Sequence, residues 1–155
     1  MLKRITIPLI FFSLIFVLLS CEDDKCRTST DTRTKASFYI EDETLIEEDV
    51  LNSLAIYSTS WTDSIHYNSS GSENSLKFQL SPNKNISKFV FSTLDINDTL
   101  IFYYKRELSL ISPECGFITK YNIDSLKFTN YQIDSIKIIQ TAVSNIDEEH
   151  IQIYY

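Results

Sequence analysis

Asp63-Ser64-Ile65-His66 sets an acid, a hydroxyl and an imidazole within four residues of one another, and so invites a reading as a local catalytic triad. Nucleophilic catalysis needs the nucleophile and its base within hydrogen-bond reach, plus a site for the oxyanion. On a strand, Ser64 and His66 would stand about 7 Å apart on one face, with Asp63 on the other. No proton can be relayed across that gap, so His66 reads as a solvent-facing strand histidine. His150, after Glu148-Glu149, reads as an exposed residue opening the last strand. With Gly71 and Gly116 the only glycines, phosphate-cradling loops are excluded. Two histidines and a cysteine pair do not make a zinc site, so neither a metal nor a cofactor is expected. Paired carboxylates for glycoside hydrolysis meet only in three dimensions, and nothing in the sequence selects a pair. Trp61 and the tyrosines could stack on sugars if exposed, but core packing accounts better for most of them.

The cysteines carry more information. Met1-Leu2-Lys3-Arg4 is a positive start, and the run Ile5–Leu19 is almost uncharged and interrupted by Pro8. A spanning helix needs about 20 apolar residues, so this segment predicts a cleaved signal peptide over residues 1–20. Leu18-Leu19-Ser20-Cys21 has the form of a lipobox, whose cysteine thiol takes a diacylglycerol before cleavage on its N-terminal side. Cys21 is therefore the expected lipid attachment, and membrane contact through that lipid is the expected anchor. One acyl chain binds marginally, at about 0.8 kcal/mol per buried methylene, and several chains hold durably. Outside the cytoplasm the remaining pair, Cys26 and Cys115, predicts a disulfide that would add about 4–5 kcal/mol on the chain-entropy model.

Taking 20 residues from 155 leaves 135, enough for one domain with a core. The signal contains Lys3 and Arg4 and no acid, so its removal takes the formal charge from −7 to −9. An acidic surface repels nucleic acid, which is excluded as a partner. Residues 21–35 read as a lipidated flexible tether and 36–155 as the folded domain.

Within that domain the period is two. Phe38 and Ile40, Leu54 and Ile56, Ile65 and Tyr67, Leu76-Phe78-Leu80, and Phe89-Phe91 alternate with polar neighbours, as half-buried strands do. Thr99–Ile111 is the longest run, and Lys105-Arg106-Glu107 is the expected place for a bend or bulge in it. Phe117–Tyr121, Leu126–Phe128, Ser135–Gln140 and His150–Tyr155 follow. Glu41–Ser53 alone has near-helical spacing, in Leu45, Ile46 and Val50; a solvated loop or a single helical turn is expected there. Breakers stand between the runs, around Gly71, Pro82, Pro113 and Ser144–Glu149. The fold class expected is all-β, a single sandwich of immunoglobulin-like type, with a closed antiparallel barrel as the alternative.

Three segments resemble a known group. Cys21-Glu-Asp-Asp-Lys-Cys26, Tyr103-Tyr-Lys-Arg-Glu107 and Ser112-Pro-Glu-Cys115-Gly-Phe117 are similar to small Bacteroidota-type envelope lipoproteins classed as a domain of unknown function. The resemblance implies a secreted β-rich lipoprotein with one cysteine near the anchor and another in a Cys-Gly turn, and it implies no activity. Glu22-Asp23-Asp24 also resembles the signal that carries such lipoproteins to the cell surface, and a solvated tether has the same composition; outer-membrane attachment is expected, with outward exposure favoured over a periplasmic orientation. Asp63-Ser64-Ile65, Asp98-Thr99-Leu100, Asp124-Ser125-Leu126 and Asp134-Ser135-Ile136 share a form that looks like an O-glycosylation acceptor in that group. The same form also arises when Asp ends a turn by bonding its own backbone and Ser or Thr, then an aliphatic residue, begins a strand. Modification of at least one of Ser64, Thr99, Ser125 and Ser135 is expected.

Taken together, the residues predict a non-enzymatic lipoprotein of the cell envelope that binds a protein or glycan or supports envelope assembly. A lipocalin-like carrier of a small ligand is the second reading, and a hydrolase with clustered carboxylates the third.

Overall fold

The computed structural model describes residues 26–42, 45–48, 51–52, 54–59, 67–68, 72–93 and 96–155. Every regular element among them is a strand: β1 (Thr34–Asp42), β2 (Leu45–Glu48), β3 (Leu51–Asn52), β4 (Leu54–Ser58), β5 (Tyr67–Asn68), β6 (Ser72–Glu73), β7 (Ser75–Phe78), β8 (Ile86–Thr93), β9 (Ile96–Ser112), β10 (Gly116–Phe128), β11 (Ser135–Ile138), β12 (Ala142–Val143) and β13 (Ile151–Tyr154). The alternation read from sequence is the reason. In β8 Phe89, Phe91 and Thr93 turn inward while Lys88 faces solvent, and in β7 Leu76 and Phe78 flank an exposed Lys77.

The strands form two principal sheets. One runs β11-β13-β1-β2, with β7 beside β2 along the same edge of β1. Here β1 and β13 pair in parallel, Ala36 opposite Ile151 through Tyr39 opposite Tyr154, so the two ends of the domain close side by side. The other runs β12-β10-β9-β8-β4-β5, with β8, β9 and β10 as an antiparallel meander. A two-stranded β3-β6 ribbon stands apart. The inner faces of the two sheets meet in one core. Phe38 packs on Phe91 at 5.7 Å, and Phe78 sits between Phe89 at 4.8 Å and Phe102 at 5.4 Å. Such pairs add about 0.5–1.5 kcal/mol each beyond the area they bury.

The all-β expectation and the two packed sheets agree with the structure. Immunoglobulin-like connectivity is not established by this strand order. Among the described residues no strand of one principal sheet pairs with a strand of the other.

Three local expectations are corrected. The segment 41–53 holds strands β2 and β3 rather than a loop or helical turn, because β2 folds back on β1 with Asp42 opposite Leu45. Strand β1 begins at Thr34, and both Thr32 and Thr34 are buried, so the folded domain starts before residue 36. Finally, β9 passes straight through Lys105-Arg106-Glu107. The irregularity lies on its partner, where the register shifts between Ile123 and Ser125 of β10, leaving Asp124 as the extra residue. That bulge changes the phase of β10: Tyr121 and Ile123 face the core before it, and Leu126 and Phe128 pack against the core after it.

Candidate functional site

Cys26 and Cys115 are joined, with their Cα atoms 4.8 Å apart across 89 positions of sequence, as the cysteine count led one to expect. Cys115 lies in the turn between β9 and β10. There the Cys115 N–H donates to the Ser112 hydroxyl at 3.1 Å, and Gly116 takes a φ of 73°. Gly116 stands opposite Ser112 and Phe117 opposite Leu110, so the register slips beside the turn and leaves Ile111 of β9 as the extra residue. The bridge therefore fastens the chain just ahead of β1 to the tip of the longest hairpin.

Of the other expected sites, Cys21, Trp61, Ser64 and His66 lie outside the described residues. Thr99 is half-buried in β9, with its N–H bonded to the Thr129 hydroxyl at 2.8 Å. Ser125 is exposed beside the β10 bulge, and Ser135 is half-buried at the start of β11 in the other sheet. These positions are not brought together. They are separate strand positions rather than parts of one centre.

The acid of the Asp98-Thr99-Leu100 motif has a structural task. Asp98 is 1% exposed and accepts four hydrogen bonds: from the Thr129 hydroxyl at 2.6 Å and from the backbone N–H groups of Tyr131, Gln132 and Ile133 at 2.8–3.0 Å. Burial pushes its carboxyl up, but these donors together outweigh burial and hold it below the ordinary value of 3.8. One carboxylate thus ties the Thr129–Ile133 loop to the start of β9.

His150 corrects the sequence reading outright, being fully buried rather than exposed. Its ring Nδ1 accepts the Lys35 backbone N–H at 3.1 Å, and the His150 backbone N–H donates to the Lys35 carbonyl at 3.0 Å. A ring nitrogen that accepts is unprotonated, which assigns the neutral tautomer with hydrogen on Nε2. Among the described residues no hydrogen bond of ordinary geometry reaches Nε2. Burial pulls the imidazole below its ordinary 6.5, against the opposing pull of Glu148, the Ala142 backbone and Asp147. Next to it in sequence, Glu149 accepts from the Tyr39 hydroxyl at 3.0 Å and from the Gln152 amide at 2.8 Å.

A buried tyrosine pair closes one end of the core. Tyr104 and Tyr121 meet edge to face at 5.3 Å. The Tyr104 hydroxyl donates to the Ser81 carbonyl at 3.0 Å, and so accepts from the Ser87 hydroxyl at 2.7 Å; Tyr121 donates to the Leu80 carbonyl at 3.0 Å. Burial, then the neighbouring Tyr104, pushes the Tyr121 hydroxyl up to about 12. Arg106 seals the same end, its guanidinium donating to the Asn85 side chain at 2.7 Å and the Pro82 carbonyl at 2.5 Å. Sequence reading noticed Arg106 within the bend expected at Lys105-Arg106-Glu107. What it missed was the partner loop, which alternation along a single strand does not reveal.

One groove of about 270 Å³ opens where the segment before β1 meets the loop after β12. Its cations are already matched, Arg33 to Asp31 at 2.6 Å and Lys77 to Asp147 at 2.7 Å, and Asn145 donates to the Ser29 carbonyl at 3.0 Å. Its two cations and two carboxylates balance, so these pairs leave no unmatched charge to draw an ion. Among the described residues, no group of three or more His, Cys, Asp or Glu side chains is placed to hold a metal.

No curated protein and no solved structure matches the chain. A family model does match, over residues 53–155, a span that starts after β1 although β1 is the strand on which β13, β7 and β2 all pair. The chain belongs to the family of unknown function DUF6452.

Proposed function

We propose that the protein is an exported, lipid-anchored envelope module that binds or scaffolds rather than catalyses. The observation that carries this reading is the Cys26–Cys115 bridge. Structural disulfides persist in oxidising compartments, and this one closes five residues after the lipobox cysteine, Cys21. Export and lipid anchorage rest on the N-terminal segment, and the choice of the outer membrane rests on the resemblance of Glu22-Asp23-Asp24 to a surface-export signal. The binding reading is supported by how the perturbed groups are used: Asp98, His150, Tyr104 and Tyr121 are each committed to holding a loop or strand in place. The small-ligand carrier is disfavoured by aromatic side chains in mutual contact through the interior. The partner class this reading favours is an envelope protein or a glycan, met at the polar groove.

Feeding a clickable fatty acid to cells expressing the full chain tests the anchor. Label is expected on the wild type and absent from Cys21→Ala, which should also leave the membrane fraction. Label retained by Cys21→Ala would defeat the reading. For the O-glycan, Ser125 is the position we favour, as the exposed hydroxyl of the three described. Native protein should carry a sugar mass increment that Ser125→Ala abolishes; an increment unchanged in that variant rejects the assignment.

A further inference from the structure

The β9–β10 hairpin outruns the sandwich. Even-numbered residues of β9 face the core from Asp98 to Tyr104, and Arg106 then caps it. Beyond Arg106 the same face continues as Leu108 and Leu110, with Phe117 directly opposite Leu110 and Thr119 opposite Leu108. Cross-strand partners project from one face. Leu108 is 67% exposed, Leu110 54% and Phe117 62%, so this apolar face has lost its covering sheet. From Leu108 to Thr119 the only charged residue is Glu114, at the turn. Immediately behind stand Lys105, Arg106, Glu107 and Lys120, with Glu107 opposite Lys120. An apolar patch with a charged belt behind it is the pattern of a segment that sits at the boundary of acyl chains and headgroups.

The bridge says which surface this face meets. Cys115 sits at the hairpin turn and is bonded to Cys26, which is five residues from Cys21. Five residues span at most about 18 Å even when fully extended. Whatever holds Cys21 therefore also holds the hairpin tip within that distance. We propose that the face of Leu108, Leu110 and Phe117 rests on the lipid bilayer beside the acylated N-terminus, making the hairpin a second point of membrane contact; this rests on the lipid-anchor reading above. Glu114, fully exposed at the turn, limits the depth. The hairpin lies on its apolar face at headgroup level and does not plunge in end-on. The far end of β9, about 40 Å away along the strand, points the Tyr131 loop into solvent.

The test uses the full acylated chain in phosphatidylcholine vesicles made with or without brominated acyl chains, which quench tryptophan at contact. Phe117→Trp and its cross-strand partner position, as Leu110→Trp, report on the tip; Tyr131→Trp, 78% exposed at the other end, is the control. The parent protein, with Trp61, is subtracted throughout. Intact mass of each sample reads acylation independently. The expected result is that the emission added at 117 and at 110 falls by roughly twofold or more in brominated vesicles, as interfacial burial requires, while that added at 131 is unchanged. Acylated protein whose tip emission is not quenched overturns the proposal and leaves the anchor standing. Protection that grows with protein density alongside a cross-linked dimer would mean a second copy covers the face, and also overturns it. Protein without acyl chains removes the anchor and this proposal together.

Discussion

Two buried ionisable residues, Asp98 and His150, contribute to the molecule's response to acid, and they act in different windows. Asp98 is held below its ordinary value of 3.8 because four donors outweigh its burial. A depressed carboxylate contributes stability that is complete above the unfolded value and is lost as pH falls through the folded one. Its contribution therefore fades below about pH 4. Asp98→Ala leaves three backbone N–H groups unpaired and should cost about 2–4 kcal/mol at neutral pH, measured by urea unfolding. Unchanged stability would show that the Thr129–Ile133 loop is held by something else. His150 acts nearer neutrality. Its folded value lies below 6.5, so the unfolded chain takes up the proton first, and stability present above 6.5 is lost as pH falls below it. Protonated Nδ1 can no longer accept the Lys35 N–H. Thermal midpoints should decline from pH 7 towards pH 5 in the wild type, and that slope should flatten in His150→Gln. An equal slope in both proteins would rule His150 out as its source. Neither role was legible in sequence. Asp98 looked like one of four equivalent Asp-hydroxyl-aliphatic motifs, and only the return of the Thr129–Ile133 loop, more than 30 positions later, distinguishes it.

At the scale of elements, period-two alternation was a sound guide wherever a strand keeps one face buried. β1, β4, β7, β8 and β9 stand where the alternation places them. It misled in two ways, both physical. Phe117–Tyr121 and Leu126–Phe128 look like separate strands because the Asp124 bulge reverses the phase between them, yet they are one strand, β10. Two-residue strands such as β12 have no alternation to read, and β2 pairs with β1 in a segment whose spacing looks helical. The Cys-Gly turn was expected from the family resemblance, and its left-handed residue is one that few side chains tolerate. At Gly116 a Cβ would meet nothing within 4 Å, so the cost of adding one is conformational alone. Gly116→Ala should destabilise by about 1–2 kcal/mol, with Gly116→Asn recovering much of that, as read from urea midpoints. Full stability in the alanine variant would show that the turn does not require the left-handed conformation.

For the whole molecule, the cysteines say more than the side chains that could do chemistry. The core built through Phe38, Phe78, Phe89, Phe91 and Phe102 is tied to its loops and strands by Asp98, Tyr104, Tyr121 and His150. What the fold adds to the sequence is the path of the chain: β1 and β13 close the domain on itself, while the bridge returns the segment before β1 to the far tip of β9–β10. Placement of the protein at a membrane, the compartment that keeps its bridge and the use of its apolar hairpin all turn on the fate of Cys21. Mass spectrometry of peptides from native protein, digested without reduction, measures this most directly. The account requires a first residue of Cys21 bearing acyl chains, and a Cys26 peptide recovered covalently joined to the Cys115 peptide. Recovery of peptides from residues 1–20 still attached to an unmodified Cys21, with Cys26 and Cys115 as free thiols, would contradict it.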